Sequence, residues 1–203
     1  MVCVFTFNEE VQEEELMDGC TSSLARVDKA GYAGPLGTIK GAGWVTEMIA
    51  RLNNTYPTQI ASINSTLSSS PSTFPLESPI YLGFGHDTTL ESIITAMGLL
   101  RPEEAYSGNM TLEKIDEGRK WKSSVMAPMG ARLVLERMSC SGSSAGGTYV
   151  KMILNDATLP LKDLDACATS WGAVQGLCSL EAFNEGQAYA LAGAGFSNCS
   201  NSE

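Results

Sequence analysis

Only one histidine, His86, occurs in the 203 residues. Chemistry that needs two imidazoles cannot be completed from this chain's own residues. The six cysteines (Cys3, Cys20, Cys140, Cys167, Cys178 and Cys199) include no Cys-x-x-Cys pair, and one histidine adds little to them, so neither a metal nor a cofactor is expected. Basic residues are scarce as well. Thirteen Lys and Arg against 23 Asp and Glu leave a formal charge of −10, a surface that repels nucleic acid and anionic membranes rather than attracting them. No apolar run approaches the roughly 20 residues of a membrane span. The opening Met1 to Asn8 has no basic flank, long apolar core or small-residue cleavage site, so no secretory leader is read there.

What the chain does have is enough hydrophobic residue, 43% of the total, for one sizeable core. Four Asn-x-Ser/Thr sequons, at Asn53, Asn64, Asn109 and Asn198, accompany the even cysteine count. Together they fit an oxidising secretory route and predict a secreted glycoprotein. Without a visible leader, either the leader was removed or an N-terminal part is missing.

Along the chain, the Glu-rich stretch from Glu9 to Glu15 reads as a solvated helix face. After the turn-rich Gly31 to Gly37, the spacing of Trp44, Val45, Met48, Ile49 and Leu52 predicts a helix ending near Asn53 and Asn54. Residues 62–79, dense in Ser and Pro, read as an exposed, mobile connection. Ile80-Tyr-Leu-Gly-Phe-Gly85 has the length and flanks of a buried strand. It runs into His86 and Asp87, and Thr88 with Glu91 fits a capping box opening a helix, with Leu90, Ile93, Ile94 and Met97 on one face and Gly98 able to end it. The stretches 131–139 and 148–154 read as a hairpin, and the Ala/Gly-rich end from Cys167 as short helices held by disulfides.

Strand, His-Asp pair, helix is an arrangement suited to phosphate. Ligands of open α/β sheets bind beyond the carboxyl ends of the strands, and the unpaired amides of the following helix favour anions. A buried histidine with purely structural hydrogen bonds is the competing reading of the dipeptide alone.

The segment Gly85-His86-Asp87-Thr88-Thr89-Leu90 with Ala96-Met-Gly-Leu-Leu100 resembles the His-Asp signature of the histidine acid phosphatases, which include fungal phytases. Further stretches resemble that family in the same order: Cys3-Val-Phe-Thr, Gly34-Pro-Leu-Gly37 with Gly41-Ala-Gly-Trp, Thr73-Phe-Pro-Leu76, Ala127-Pro-Met-Gly-Ala-Arg-Leu133 and Leu154-Asn-Asp156. The resemblance implies an α/β fold, a phosphoglycerate-mutase-like sheet with flanking helices, incomplete at its N-terminal side. It implies that Asp87 is the proton donor to the leaving oxygen and that His86 holds phosphate oxygens. Thr88, Arg26 and Lys29 are implied substrate contacts, although simple solvent exposure competes for the last two. A Cys167–Cys178 disulfide is implied too, with Cys3, Cys140 and Cys199 resembling cysteines whose partners lie upstream.

The departure from the family pattern is the nucleophile. Members attack a phosphomonoester with the histidine of an Arg-His-Gly motif, and no Arg-His-Gly occurs here. The expectation is one C-terminal portion of a domain: residues 1–79 a helical part and surface loop, 80–161 the sheet core, and 162–203 a stapled tail. Its partners would be a phosphomonoester, phytate or a general ester, and a missing N-terminal half; alone it would be inactive. The alternatives are a noncatalytic remnant of the fold that at most binds anions, or an unrelated binding module.

Overall fold

The computed structural model describes residues 30–32, 36–58, 62–101, 120–142, 146–192 and 195, together with the backbone of 2–7. The Glu-rich stretch, Arg26, Lys29, Cys20, Asn109, Asn198 and Cys199 lie outside them. The described strands are β1 (Val2–Phe7), β2 (Ile80–Gly85), β3 (Ala131–Cys140), β4 (Gly147–Leu154), β5 (Ala157–Thr158) and β6 (Leu177–Ser179). The helices are α1 (Gly37–Asn53), α2 (Ser65–Ser68), α3 (Asp87–Ala96), α4 (Ser123–Met126), α5 (Leu180–Gly186) and α6 (Ala188–Leu191).

The strands form one mixed sheet in the order β2-β1-β3-β4-β5, with β6 also paired to β4. β1 runs parallel to β2, in register from Val2 opposite Ile80 to Phe7 opposite Gly85, and antiparallel to β3. The segment expected to be helical before residue 79 therefore also supplies a strand inside the sheet. The hairpin is β3–β4, antiparallel from Leu133 opposite Leu154 to Cys140 opposite Gly147.

One face of the sheet carries the core. Leu133, Leu135, Met152 and Leu154 are buried there against Val45, Met48, Ile49 and Leu52 of α1 and Leu90, Ile93 and Ile94 of α3. Fully burying each such side chain stabilises the fold by about 1.5–3 kcal/mol. α1 buries residues at helical spacing and stops where Asn54 turns left-handed (φ 57°) and returns its amide to the carbonyls of Ala50 and Arg51. α1 and α3 approach closely at Gly41, where an added Cβ would overlap the Ser92 carbonyl oxygen and come within 2.8 Å of Ala96 Cβ.

Two expectations are corrected. β2 is not a buried strand: Ile80, Leu82 and Phe84 are 56%, 65% and 82% exposed. Burial of a strand depends on what covers both of its faces, and the helices cover only the face bearing Tyr81, over whose ring the Arg51 guanidinium lies at 5.2 Å. The connection 62–79 is exposed but tied down. Asn64 accepts from the amides of Thr66 and Leu67 to cap α2, the Ser68 hydroxyl donates to Glu47, and Phe74 is buried beneath the Arg51 guanidinium at 4.0 Å.

The described part of the tail, residues 167–192, packs against the core. Cys167 and Cys178 form a disulfide, both fully buried with Phe183, and the Gln187 amide donates to the Met97 carbonyl.

Candidate active site

β2 delivers its C-terminal residue, Gly85, to the sheet edge, and the next two residues are the candidate site. His86 is exposed and extended (φ −105°, ψ 167°) as the residue before α3. Its carbonyl accepts from the amides of Thr89 and Leu90, both at 3.1 Å, closing the first helical turn. Asp87, the first helical residue, is only 6% exposed, and its Oδ1 accepts from the Thr88 amide at 2.5 Å. A carboxylate is thus held against the positive end of a helix, where negative charge is favoured. A phosphate arriving beside it meets the same field and the exposed imidazole.

The expected capping box is not formed. The residue before the helix is His86, so Thr88 is already inside it, and Glu91 is fully buried. α3 packs on α1 as well as on the sheet, and this wide contact draws Glu91, Ser92 and Thr95 inside along with Leu90, Ile93, Ile94 and Met97. Thr88 remains exposed beside Asp87, its amide engaged by the Asp87 carboxylate.

Other groups share this end of the sheet, because the register sets Gly85 opposite Phe7 and Phe7 opposite Ala131. Asn155, left-handed at φ 55°, accepts from the Arg132 amide at 3.0 Å and donates to the Val125 carbonyl at 2.9 Å. Arg132 pairs with Asp156 at 3.1 Å, in solvent. Between α1 and α3, beside Thr88, opens a groove of about 430 Å³ lined by Ala30, Lys40, Gly41, Trp44, Thr88, Thr89, Ser92 and Ile93. Sequence reasoning placed Trp44 on a helix but did not find Lys40, since an exposed lysine gives no periodic signal.

Among the described residues no three His, Cys, Asp or Glu side chains converge on a metal-binding position, and no helix is long and apolar enough to cross a membrane. Cys140, half-buried at the end of β3, has no disulfide partner there. Of the described sequons, Asn64 is exposed, while Asn53 is partly buried and its Oδ1 accepts from Asn184 at 2.9 Å.

Residues 2–155 match the model of the histidine phosphatase superfamily, branch 2. The chain is 33% identical over 196 residues to phytase A of Aspergillus fumigatus, covering 97% of itself and 39% of that protein. It is 34% identical to phytase A of Arthroderma benhamiae, covering 41% of it. An acid phosphatase of Komagataella pastoris is 38% identical over 89 residues, 44% of this chain and 18% of that one. The crystal structure of the phytase from D. castellii superposes with a TM-score of 0.62 at 22% identity, over 90% of this chain and 33% of that one. The chain therefore spans about two-fifths of the length of the two phytases A it is compared with.

Proposed function

Since the chain belongs to branch 2 of the histidine phosphatase superfamily, we propose that it supplies the acid and a phosphate ligand of a phosphomonoester hydrolase working at acidic pH. The observation that carries this reading is the buried Asp87 at the start of α3 beside the exposed His86, at the carboxyl end of β2.

In the proposed reaction a histidine nitrogen attacks phosphorus. As the N–P bond forms and the ester P–O bond breaks, the electron pair leaves with the ester oxygen, which takes its proton from Asp87. Water then attacks the phosphohistidine, returning a proton to Asp87 and releasing inorganic phosphate. His86 holds the phosphate oxygens, and the positive field at the start of α3 favours the charge that builds on them. His86 is the chain's only histidine, so the attacking imidazole belongs to a segment outside these 203 residues.

The bare row of Ile80, Leu82 and Phe84 on the terminal strand of the described sheet supports β2 as the place where that segment packs. The full substrate range, phytate or general esters, belongs to the assembled protein. We further propose residues 1–203 as one portion of a single domain with a stapled tail from 162, and secretion as a glycoprotein.

The test is turnover of p-nitrophenyl phosphate at acidic pH. The chain alone is expected to give none; adding a segment that carries an Arg-His-Gly motif is expected to give activity that Asp87→Asn abolishes. Turnover by the chain alone, lost in Asp87→Asn, would overturn the assignment of His86 as ligand. No activity after assembly would favour the noncatalytic remnant.

A further inference from the structure

We infer that Asn64 carries an N-linked glycan whose innermost N-acetylglucosamine lies in the adjoining groove lined by Pro57, Ile63, Ser65, Thr66, Ser68 and Ser69, and that Asn53, also in a sequon, stays bare. This rests on the proposed passage through a secretory route.

Asn64-Ser65-Thr66 is a sequon whose three residues are all exposed. The Asn64 Oδ1 accepts from the amides of Thr66 at 3.1 Å and Leu67 at 3.3 Å, while Nδ2, the atom that is modified, makes no hydrogen bond among the described residues. In the transfer, Nδ2 attacks C1 of the first sugar of a lipid-diphosphate-linked oligosaccharide: the N–C1 bond forms, the C1–O bond breaks with its electron pair going to the lipid diphosphate, and Nδ2 gives up one proton. Oδ1 keeps both amides afterwards. Asn53 is the contrast, being partly buried in the last turn of α1 with its Oδ1 accepting from Asn184 of α5 at 2.9 Å. A glycan there would part α1 from α5.

The groove flanks the acceptor on both sides, through Ile63 and Ser65, and encloses about 250 Å³, below the roughly 300 Å³ at which drug-sized sites begin. It has room for one ring. Pro57 and Ile63, both half-buried, offer apolar surface to an acetyl methyl and a pyranose face. The exposed hydroxyls of Ser65 and Thr66 make no hydrogen bond among the described residues, so they can serve sugar hydroxyls and the acetyl carbonyl. Those of Ser68 and Ser69 are already given to Glu47 and the Ser65 carbonyl. With no charged residue in the lining and a net charge of −10 on the chain, a neutral ligand is favoured over an anion. The base of the groove is fixed as well: the chain entering it lies so close to α1 that a Cβ on Gly43 would overlap the Ser62 carbonyl oxygen.

The experiment expresses the full chain behind a secretory leader in a eukaryotic host and maps glycopeptides by mass spectrometry. Asn64 is expected to be occupied and Asn53 bare. Thr66→Ala breaks the sequon but leaves Asn64 and the amides it accepts from, and is expected to lose the glycan; Thr66→Ser is expected to keep it. Trimming with an endoglycosidase to a single N-acetylglucosamine then allows the seat to be read by NMR, as nuclear Overhauser effects from the acetyl methyl to Ile63 and Pro57.

An unmodified Asn64 in protein glycosylated at another sequon overturns the inference, and a glycan on Asn53 overturns the contrast drawn between the two. If Asn64 is occupied but its acetyl methyl shows no effect to Ile63 or Pro57, the seat falls and the modification stands. Secreted protein with no glycan at any sequon sinks the glycoprotein reading itself.

Discussion

Gly41→Ala puts the α1–α3 contact to a test in which two physical effects have opposite signs. Alanine in a helix interior is favoured over glycine by about 1 kcal/mol, so a helix considered alone would be stabilised. In the fold, the new methyl overlaps the Ser92 carbonyl oxygen and lies 2.8 Å from Ala96 Cβ, where ordinary contact begins at 3.4 Å. Relieving the second contact alone requires α1 and α3 to part by about 0.6 Å in an interior packed as densely as a crystal.

Overpacking of this kind costs about 1–3 kcal/mol. The cost falls at the upper end here, because the struck atom is a backbone carbonyl that cannot rotate away. The net expectation is a loss of about 1–2 kcal/mol, or roughly 2–8 °C in Tm for a chain of this size. Thermal and urea unfolding followed by circular dichroism measure it. A Tm equal to or above that of the parent would refute the close approach and, with it, the placement of α3 relative to α1.

Replacing Cys167 and Cys178 together with serine opens a short loop, the two being 11 residues apart, and should cost about 3 kcal/mol from chain entropy, read as a drop in urea midpoint; no drop under non-reducing conditions would mean that the bond does not form. Burial holds the Tyr32 hydroxyl well above its ordinary value of 10.0, with Arg101 opposing the shift. The unfolded chain then loses this proton first. Stability is intact below about pH 10 and declines as pH rises above it. Tyr32→Phe should flatten that alkaline decline, at a cost of about 0.5–1.5 kcal/mol at neutral pH from losing the 2.6 Å bond to the Leu99 carbonyl; a decline as steep as the parent's would refute it.

The parts legible in the sequence are those set by local pattern. Helical spacing gave α1 and its end at Asn54, two strand-like stretches joined by a turn-rich segment gave the β3–β4 hairpin, and the His-Asp pair between strand and helix gave the candidate site. The misreadings share a different cause. Whether β2 is covered depends on which elements lie on each side of the sheet, and nothing in Ile80 to Gly85 encodes that. The Thr88–Glu91 pair has the letters of a capping box, but the helix starts two residues earlier, because the His86 carbonyl already accepts from Leu90. The groove at Lys40 joins residues from α1 and α3 that are nearly fifty positions apart, so no local window contains it.

The mixed sheet has a consequence for the order in which the molecule is built. β3 meets β4 across a short loop between Cys140 and Gly147, a closure of low entropic cost. The parallel pairing of β1 with β2 joins Val2 to Ile80, with all of α1 enclosed between them, and that loss of chain freedom must be met before the contact returns anything. The hairpin is expected to zip early and the β1–β2 pair to close late. The tip of β2, where His86 and Asp87 stand, then takes its final position among the last parts of the sheet to assemble, which makes the candidate site a late product of folding rather than its starting template.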